Sequence, residues 1–319
     1  MKVLVVGATG AVGLPLVARL AESGHAVVGT SRTRERAETL RRHGAEPAVL
    51  DALDREAARR LVLETTPDAI VHEATALAEG IDPKRFAEAF APTNRLRTGG
   101  TDSLIAAARA AGVGRFVAQS YAGWTYAPNG GPPVTEDDAH DTDPPAQLRP
   151  TQEAILQLER AVLAIGGTVL RYGVFYGPGT GFDRDGEQTE AVRKRQFPLV
   201  GDGGGVWSFV HVDDAATATL AAIEHGRPGV YNVVDDDPAP VREWLPYLAE
   251  VAGAKPPRRV PPWLARRLVG EHGVAMMTQA RGSSNAKAKR ELGWRPEYPS
   301  WRDGFRAVLG QEEVGARAA

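Results

Sequence analysis

The sequence predicts an α/β protein, a doubly wound parallel sheet followed by a smaller C-terminal lobe. Three observations carry that expectation. Short β-branched runs alternate with longer amphipathic stretches through the first half of the chain. A glycine-rich turn joins the first run to the first amphipathic stretch, and after about residue 172 the alternation gives way to loops rich in Gly and Pro.

The apolar runs are KVLVV, HAVVGT, PAVL, DAIVH, RFVAQS and TVLRYG, each short enough for a buried strand. Between them AVGLPLVARLAES, RERAETLRRHG and REAARRLVLETT repeat apolar residues every three or four positions, so each can lay one face on a sheet. Strand, helix, strand in this order gives right-handed crossovers and a parallel sheet. Downstream, YGPGTGFDRDG, VGDGGGV and AKPPRRVPPW read as loops of a second lobe. The last residues, EEVGARAA, read as a frayed tail.

Composition narrows the partners. A net charge of −2 offers no basic excess for nucleic acid or an anionic membrane, which leaves a small molecule as the expected ligand. With no cysteine there can be no disulfide, thiolate metal site or cysteine nucleophile, and no metal site is expected. The opening MKVLVVGATG has too short an apolar run for a signal segment, and no stretch approaches a membrane span, so the expectation is a soluble cytoplasmic protein.

Gly7-Ala8-Thr9-Gly10-Ala11-Val12-Gly13 follows the first run and opens the first helix. In that context Gly7 permits a tight turn, Gly10 lets the backbone approach a pyrophosphate, and Gly13 lets helix pack on strand. The free N–H groups at the helix start supply the anion site. Residues 1–172 are thus expected to form mainly a dinucleotide-binding Rossmann domain, and 173–312 mainly a substrate lobe, with some segments returning to the sheet. At the end of the second run, GTSRTRER offers Ser31 and Arg32 and no acid before Glu35, which suits the 2′-phosphate of NADP more than the ribose diol of NAD. NAD remains the other candidate. Asp51, after the third run, either accepts from the adenine amino group or caps a helix.

With these parts, the chain resembles the extended short-chain dehydrogenase/reductase family, whose members include NAD(P)-dependent epimerases and dehydratases. RFVAQSYAG is similar to its fifth strand with the active-site serine, and LRYGVFYGPG to its sixth strand and the loop that meets the nicotinamide. WSFVHVDDAATAT, YNVVDDDPAPVREW and SNAKAKRELGWRPEYPSWRDGF resemble its C-terminal segments. The resemblance implies that Ser120 is the catalytic serine, that Ala74, Thr75 and Ala76 line the cofactor, and that Gly173 and Val174 lie against it. It also implies a homodimer. Asn94 resembles the family's helix asparagine, yet stands six residues before Gly100 where three is usual.

The departure lies in LRPTQEAILQLER. The family's Tyr-x-x-x-Lys pair, in which lysine lowers the tyrosine pKa and tyrosine exchanges the substrate proton, counts back from Glu159 to Thr151 and Ile155. No tyrosine in the chain has a lysine four residues on. Losing such a relay removes roughly 10² to 10⁴ in rate while proximity and oxyanion donors remain. Substitute proton donors are Tyr121, Tyr126, Tyr172, Tyr176 and His211, of which Tyr121 and Tyr176 join Ser120 as candidate catalytic residues.

Trp207 stands where nucleotide-sugar enzymes of this family place a diphosphate-gripping arginine. Trp124, Trp207 and His211 are the candidate substrate contacts, with Phe182, Met276 and Met277 as further apolar wall. The expected function is an atypical NADP(H)-dependent oxidoreductase acting on a carbonyl or enone of an apolar or aromatic metabolite. The competing expectations are a noncatalytic NADP(H) sensor and an epimerase or dehydratase that retains its cofactor.

Overall fold

The computed structural model describes residues 1–77, 85–123, 126–127, 131 and 133–310. Its main sheet contains β1 (Lys2–Val6), β2 (Ala26–Ser31), β3 (Ala45–Val49), β4 (Ala69–His72), β5 (Arg115–Tyr121) and β6 (Thr168–Tyr172), all parallel. A short β7 (Val174–Tyr176) follows, then β8 (Leu199–Val200), β9 (Val206–Trp207), β10 (Phe209–His211) and β11 (Gly229–Val233). The last of these returns to pair with β6, giving the order β11-β6-β5-β4-β1-β2-β3. The topology reverses at β1, which places the ligand crevice beyond the carboxyl ends of β1 and β4.

The sheet is covered on both faces because its strands are apolar at every position rather than at alternate ones. Along β1, Val3 and Val5 join a cluster with Leu16, Val17 and Leu20 of α1 (Gly13–Glu22) and Ala215, Ala218 and Ile223 of α8 (Val212–His225). Leu4 and Val6 point the other way, joining residues of α3 (Arg55–Thr65), α5 (Thr101–Ala111) and α6 (Arg149–Leu163). The helix read in RERAETLRRHG is only α2 (Arg34–Glu38), capped by Thr33 and continued as a 3₁₀ turn over Thr39–His43.

Between β4 and α5, α4 (Phe86–Arg95) carries Pro92 in its interior and runs into a π-helical turn over Leu96–Gly100. Such turns widen the backbone by one residue and re-aim the side chains that follow.

A second core gathers α7 (Glu187–Arg193), α9 (Val241–Val251), α10 (Pro262–Thr278) and α12 (Trp301–Leu309) around Phe209, Trp244, Trp301 and Phe305. Helix α10 breaks at Gly270, where φ is 70°. The strand pairs β7–β10, β9 with β12 (Ala239–Pro240) and β8 with β13 (Arg259–Val260) tie this core together. Helix α11 (Ala286–Glu291) packs beside β11, and among the described residues no helix is long and apolar enough to cross a membrane.

Candidate active site

The glycine turn is built by contact. Gly7 has φ of +91°, and a Cβ there would lie 2.7 Å from the backbone nitrogen of Ala74; one on Gly13 would lie 2.3 Å from the Gly7 carbonyl oxygen. Only glycine therefore lets β1, the loop after β4 and the start of α1 approach so closely. No side chain caps α1, which leaves first-turn N–H groups for a ligand anion. Beside it a cleft of about 1250 Å³ runs along the carboxyl ends of the strands and on into the second core. A glycine cradle, an uncapped helix start and a long cleft together fit an extended dinucleotide.

Gly7, Thr9, Gly10, Ala11, Val12, Gly13, Ser31, Arg32, Asp51, Ala74, Thr75, Gly173 and Val174 all line this cleft. Ala76 does not; its amide donates to Thr93 Oγ1 (3.0 Å). Asp51 Oδ1 accepts from the Leu53 amide, while the helix cap falls to Asp54, whose Oδ1 accepts from Ala57. At the same end Arg36 also reaches the cleft and donates to the Thr9 carbonyl oxygen (3.2 Å).

Ser120 and Tyr121 line the cleft at the end of β5. Ser120 sits opposite Arg171 in the β5–β6 register, so their side chains lie on one face below α6. There Arg171 Nε and Nη2 donate to Glu159 Oε1 and Oε2 (2.8 and 2.6 Å), a bidentate pair buried from solvent. A carboxylate held this way only accepts, so the Ser120 hydroxyl donates to Glu159 Oε1 (2.6 Å). Serine has one proton. What it turns toward the cleft is a lone pair, not a donor.

The network continues outward: Arg171 Nη1 donates to Tyr126 Oη (2.8 Å), which donates to Asn232 Oδ1 (3.2 Å). Arg171 Nη2 also lies 3.0 Å from His140 Nε2, which must be the unprotonated ring nitrogen because arginine only donates. Tyr126 is thus committed to structure.

The other candidate donors are also accounted for. Thr151, at the tyrosine position, is fully buried and outside the cleft lining, its Oγ1 accepting from Asn94 Nδ2 (3.0 Å). Ile155 at the lysine position does face the cleft. Tyr176 is buried in the second core, edge-on to Phe209, His211 and Phe305, and among the described residues its hydroxyl has no hydrogen-bond partner. His211, also outside the cleft lining, caps α8 by accepting the Asp213 amide at Nδ1 (3.2 Å). These two side chains therefore build the fold around the site rather than its surface. Tyr121 is held neutral, burial pushing its hydroxyl up against the pull of Arg97. Trp207 lines the cleft and donates from Nε1 to the Met276 carbonyl oxygen (2.8 Å), with Phe182, Met276 and Met277 beside it. Trp124 lies outside the described residues.

Glu73 and Arg97 are among the lining residues that the sequence reading missed. Glu73 is buried against Tyr172, its Oε1 3.0 Å from the phenol oxygen, and burial pushes it up to about 8. Arg97, in the π-helical turn, stands three residues before Gly100, the spacing that Asn94 misses. Burial pulls it down to about 10, with Tyr121 and Glu159 opposing. That spacing was the available signal. Among the described residues no three His, Asp or Glu side chains gather as metal ligands.

A Streptomyces protein, 3-diazoavenalumate denitrifying reductase, is 47% identical over 316 residues, covering 98% of this chain and 100% of its own. A 2-alkyl-3-oxoalkanoate reductase of Stenotrophomonas maltophilia is 29% identical over 80% of this chain and 76% of its own. Among solved structures, UDP-glucose 4-epimerase of Thermotoga maritima with UDP-glucose superposes with a TM-score of 0.76 at 25% identity, covering 97% of each chain. The chain is an NAD(P)-dependent oxidoreductase or epimerase-like enzyme. Residues 3–234 match the family model, and the chain belongs to the NAD dependent epimerase/dehydratase family.

Proposed function

We propose that this protein is an NADP(H)-dependent reductase that removes a diazo group from an aromatic substrate. One observation carries the reading: the proton of Ser120 is committed to Glu159, so the serine meets the substrate with a lone pair. A carbonyl reduction ends on an alkoxide that must be protonated, and the relay positions here hold Thr151 and Ile155. A denitrifying reduction needs no such donor. When bound, the reduced cofactor supplies a hydride with both electrons, so that Ar–N₂⁺ + H⁻ gives Ar–H + N₂. The 47% identity to a protein named for that class of reaction supports the assignment.

The chain's own residues then hold, orient and exclude water. The turn Gly7–Gly13 and the start of α1 hold the pyrophosphate. Ser31, Arg32 and Arg36 line the adenosine end, where their donors suit a 2′-phosphate. The lone pair of Ser120 favours an electron-poor nitrogen beside it. Phe182, Trp207 and Met277 add apolar wall and keep water from the reacting end.

A second reading, reduction of a carbonyl or enone with Tyr121 as proton donor, is favoured by the place of Tyr121 in the cleft lining. The two part in a single assay. The protein is incubated with 4-methylbenzenediazonium and NADPH deuterated at C4, alongside NADH, and N₂ and ring deuterium are measured. Enzyme-dependent release of N₂ with deuterium on the arene carbon, faster with NADPH than NADH, is expected. Cofactor binding without arene formation, while aryl ketones or enones are reduced, refutes the diazo reading.

A further inference from the structure

The cleft carries one positive charge that nothing in the fold explains. Its basic lining residues are Arg32, Arg36 and His43 at the adenosine end, and Arg97 and His272 farther along. His272 is uncharged, burial pushing its imidazole down to about 3. That leaves Arg97. Among the described residues it forms no ion pair, and its one side-chain hydrogen bond is Nη1 to Asn94 Oδ1 at 3.5 Å. A guanidinium has five donors, and a largely buried one is costly when unpaired. Glu159 favours this charge but makes no ion pair with it, its carboxylate being bidentate to Arg171 and accepting from Ser120.

The phosphates of the cofactor do not account for it either. The pyrophosphate belongs to the start of α1, which packs on the sheet face that also carries α8. Arg97 belongs to the opposite face. There the preceding Leu96 carbonyl lies 3.3 Å from His72 Nε2, whereas the next residue, Glu73, turns the other way to Tyr172. Arg97 thus lines the cleft with Ile155, Ser120 and Tyr121, near enough to Tyr121 and to Glu159, the partner of Ser120, for their charges to act on it. Apolar side chains continue the wall from there, Phe86 and Phe90 on α4 and Val269 and Met276 on α10. A cation at the head of an apolar slot is complementary to an amphiphilic anion.

We propose that Arg97 anchors a carboxylate of the substrate, so that the enzyme takes aromatic acids whose rings lie in the slot between α4 and α10. The assignment rests on the reading that an aromatic substrate occupies this end of the cleft, but not on the diazo chemistry. The π-helical turn is what aims Arg97 there, since it shifts by one residue the face that α4 would otherwise present.

The test measures binding without turnover. The full chain saturated with NADP⁺ is titrated calorimetrically with trans-cinnamate and with cinnamamide, which differ only in charge at the head group. Cinnamate is expected to bind roughly 10- to 100-fold more tightly, the range of a charge-assisted pair. Arg97→Gln should lower cinnamate affinity by that factor while leaving cinnamamide and NADPH affinities within about threefold. Arg97→Lys, which keeps the charge and loses the fork, should restore part of the preference and serves where the glutamine variant fails to fold. Equal affinity for acid and amide in the wild type, or no detectable binding of the acid, overturns the proposal. So does a loss of NADPH affinity in Arg97→Gln as large as the loss for cinnamate, which would assign the guanidinium to the cofactor. A charge-dependent cinnamate site with no diazonium turnover leaves this inference standing and removes only the diazo reading.

Discussion

Replacing Glu73 with glutamine should stabilise the protein by an amount that grows with pH. Glu73 is 6% exposed, and burial raises its carboxyl from 4.5 to about 8, against the smaller opposing effect of the Tyr172 hydroxyl. The neighbouring hydroxyls do little to hold a charge there. Tyr172 Oη lies 3.0 Å from Glu73 Oε1 and 2.6 Å from Thr219 Oγ1, which in turn lies 2.7 Å from the Ala215 carbonyl oxygen. The Tyr172 hydroxyl, which donates to Glu73 Oε1, is thus the one side-chain donor to this carboxyl among the described residues, too little to offset its burial, so the carboxyl keeps its proton. The folded state therefore holds this proton more tightly than the unfolded chain. Stability from this group is complete below pH 4.5, falls as pH rises, and is gone above about 8. At about 1.4 kcal/mol per pH unit the window spans about 5 kcal/mol, of which about 3 kcal/mol is lost by pH 7. Glutamine keeps the shape and does not titrate, so Glu73→Gln should match the wild type near pH 4.5 and exceed it by about 3 kcal/mol at pH 7. Urea unfolding of both proteins at pH 5, 6, 7 and 8 measures the difference. A gap that does not change with pH would show that Glu73 is ionised in the fold and refute the reasoning. Because Glu73 lines the cleft beside the glycine turn, cofactor affinity of the wild type should also weaken above pH 8, and that of Glu73→Gln should not.

Two further substitutions probe the buried network and a displaced candidate. Glu159→Ala leaves the Arg171 guanidinium buried without its carboxylate and should cost about 3–5 kcal/mol in denaturant unfolding, whereas retained stability would mean that Arg171 finds water instead. Tyr176→Phe removes a buried hydroxyl with no partner, so turnover should stay within about twofold and stability should hold or rise by up to about 1 kcal/mol. A large drop in turnover from that change would put Tyr176 back into the chemistry.

The sheet was legible because its information is local. The six apolar runs of the first half became β1 to β6, and the glycine turn needed only its own spacing and the strand before it. The strand GVYNV was not read from pattern, since what makes it a strand is the exposed edge of β6, some 60 residues earlier. The catalytic end was legible as identities but not as directions. Ser120 stood out by its place after β5, yet the fate of its proton depends on Glu159 and Arg171, which helix α6 and register in β6 bring to it. Tyr176 and His211 lie on β7 and β10, paired strands that present them to the second core. Alternation along a three-residue strand is too short to show that from sequence.

Arg97 and Glu73 share the reason they were missed, and it bears on how the site departs from its family. A helical repeat assigns Arg97 to a solvated face, and only the π-helical turn after Pro92 brings it to the cleft. Glu73 reads as one polar residue in VHEATAL, and its burial depends on Tyr172 and Thr219, distant in sequence. Both are ionisable groups lining the cleft, one buried neutral and one charged with no ion-pair partner among the described residues. The proposed anchor at Arg97 would place a cation in a cleft whose lining also includes the apolar Ile155. A cation there would hold an anion rather than acidify a tyrosine, since burial keeps the Tyr121 hydroxyl raised despite Arg97. Such a cleft suits the proposed diazo reduction, whose product is an arene and whose leaving group is N₂, neither of which requires a proton, whereas carbonyl reduction leaves an alkoxide that does.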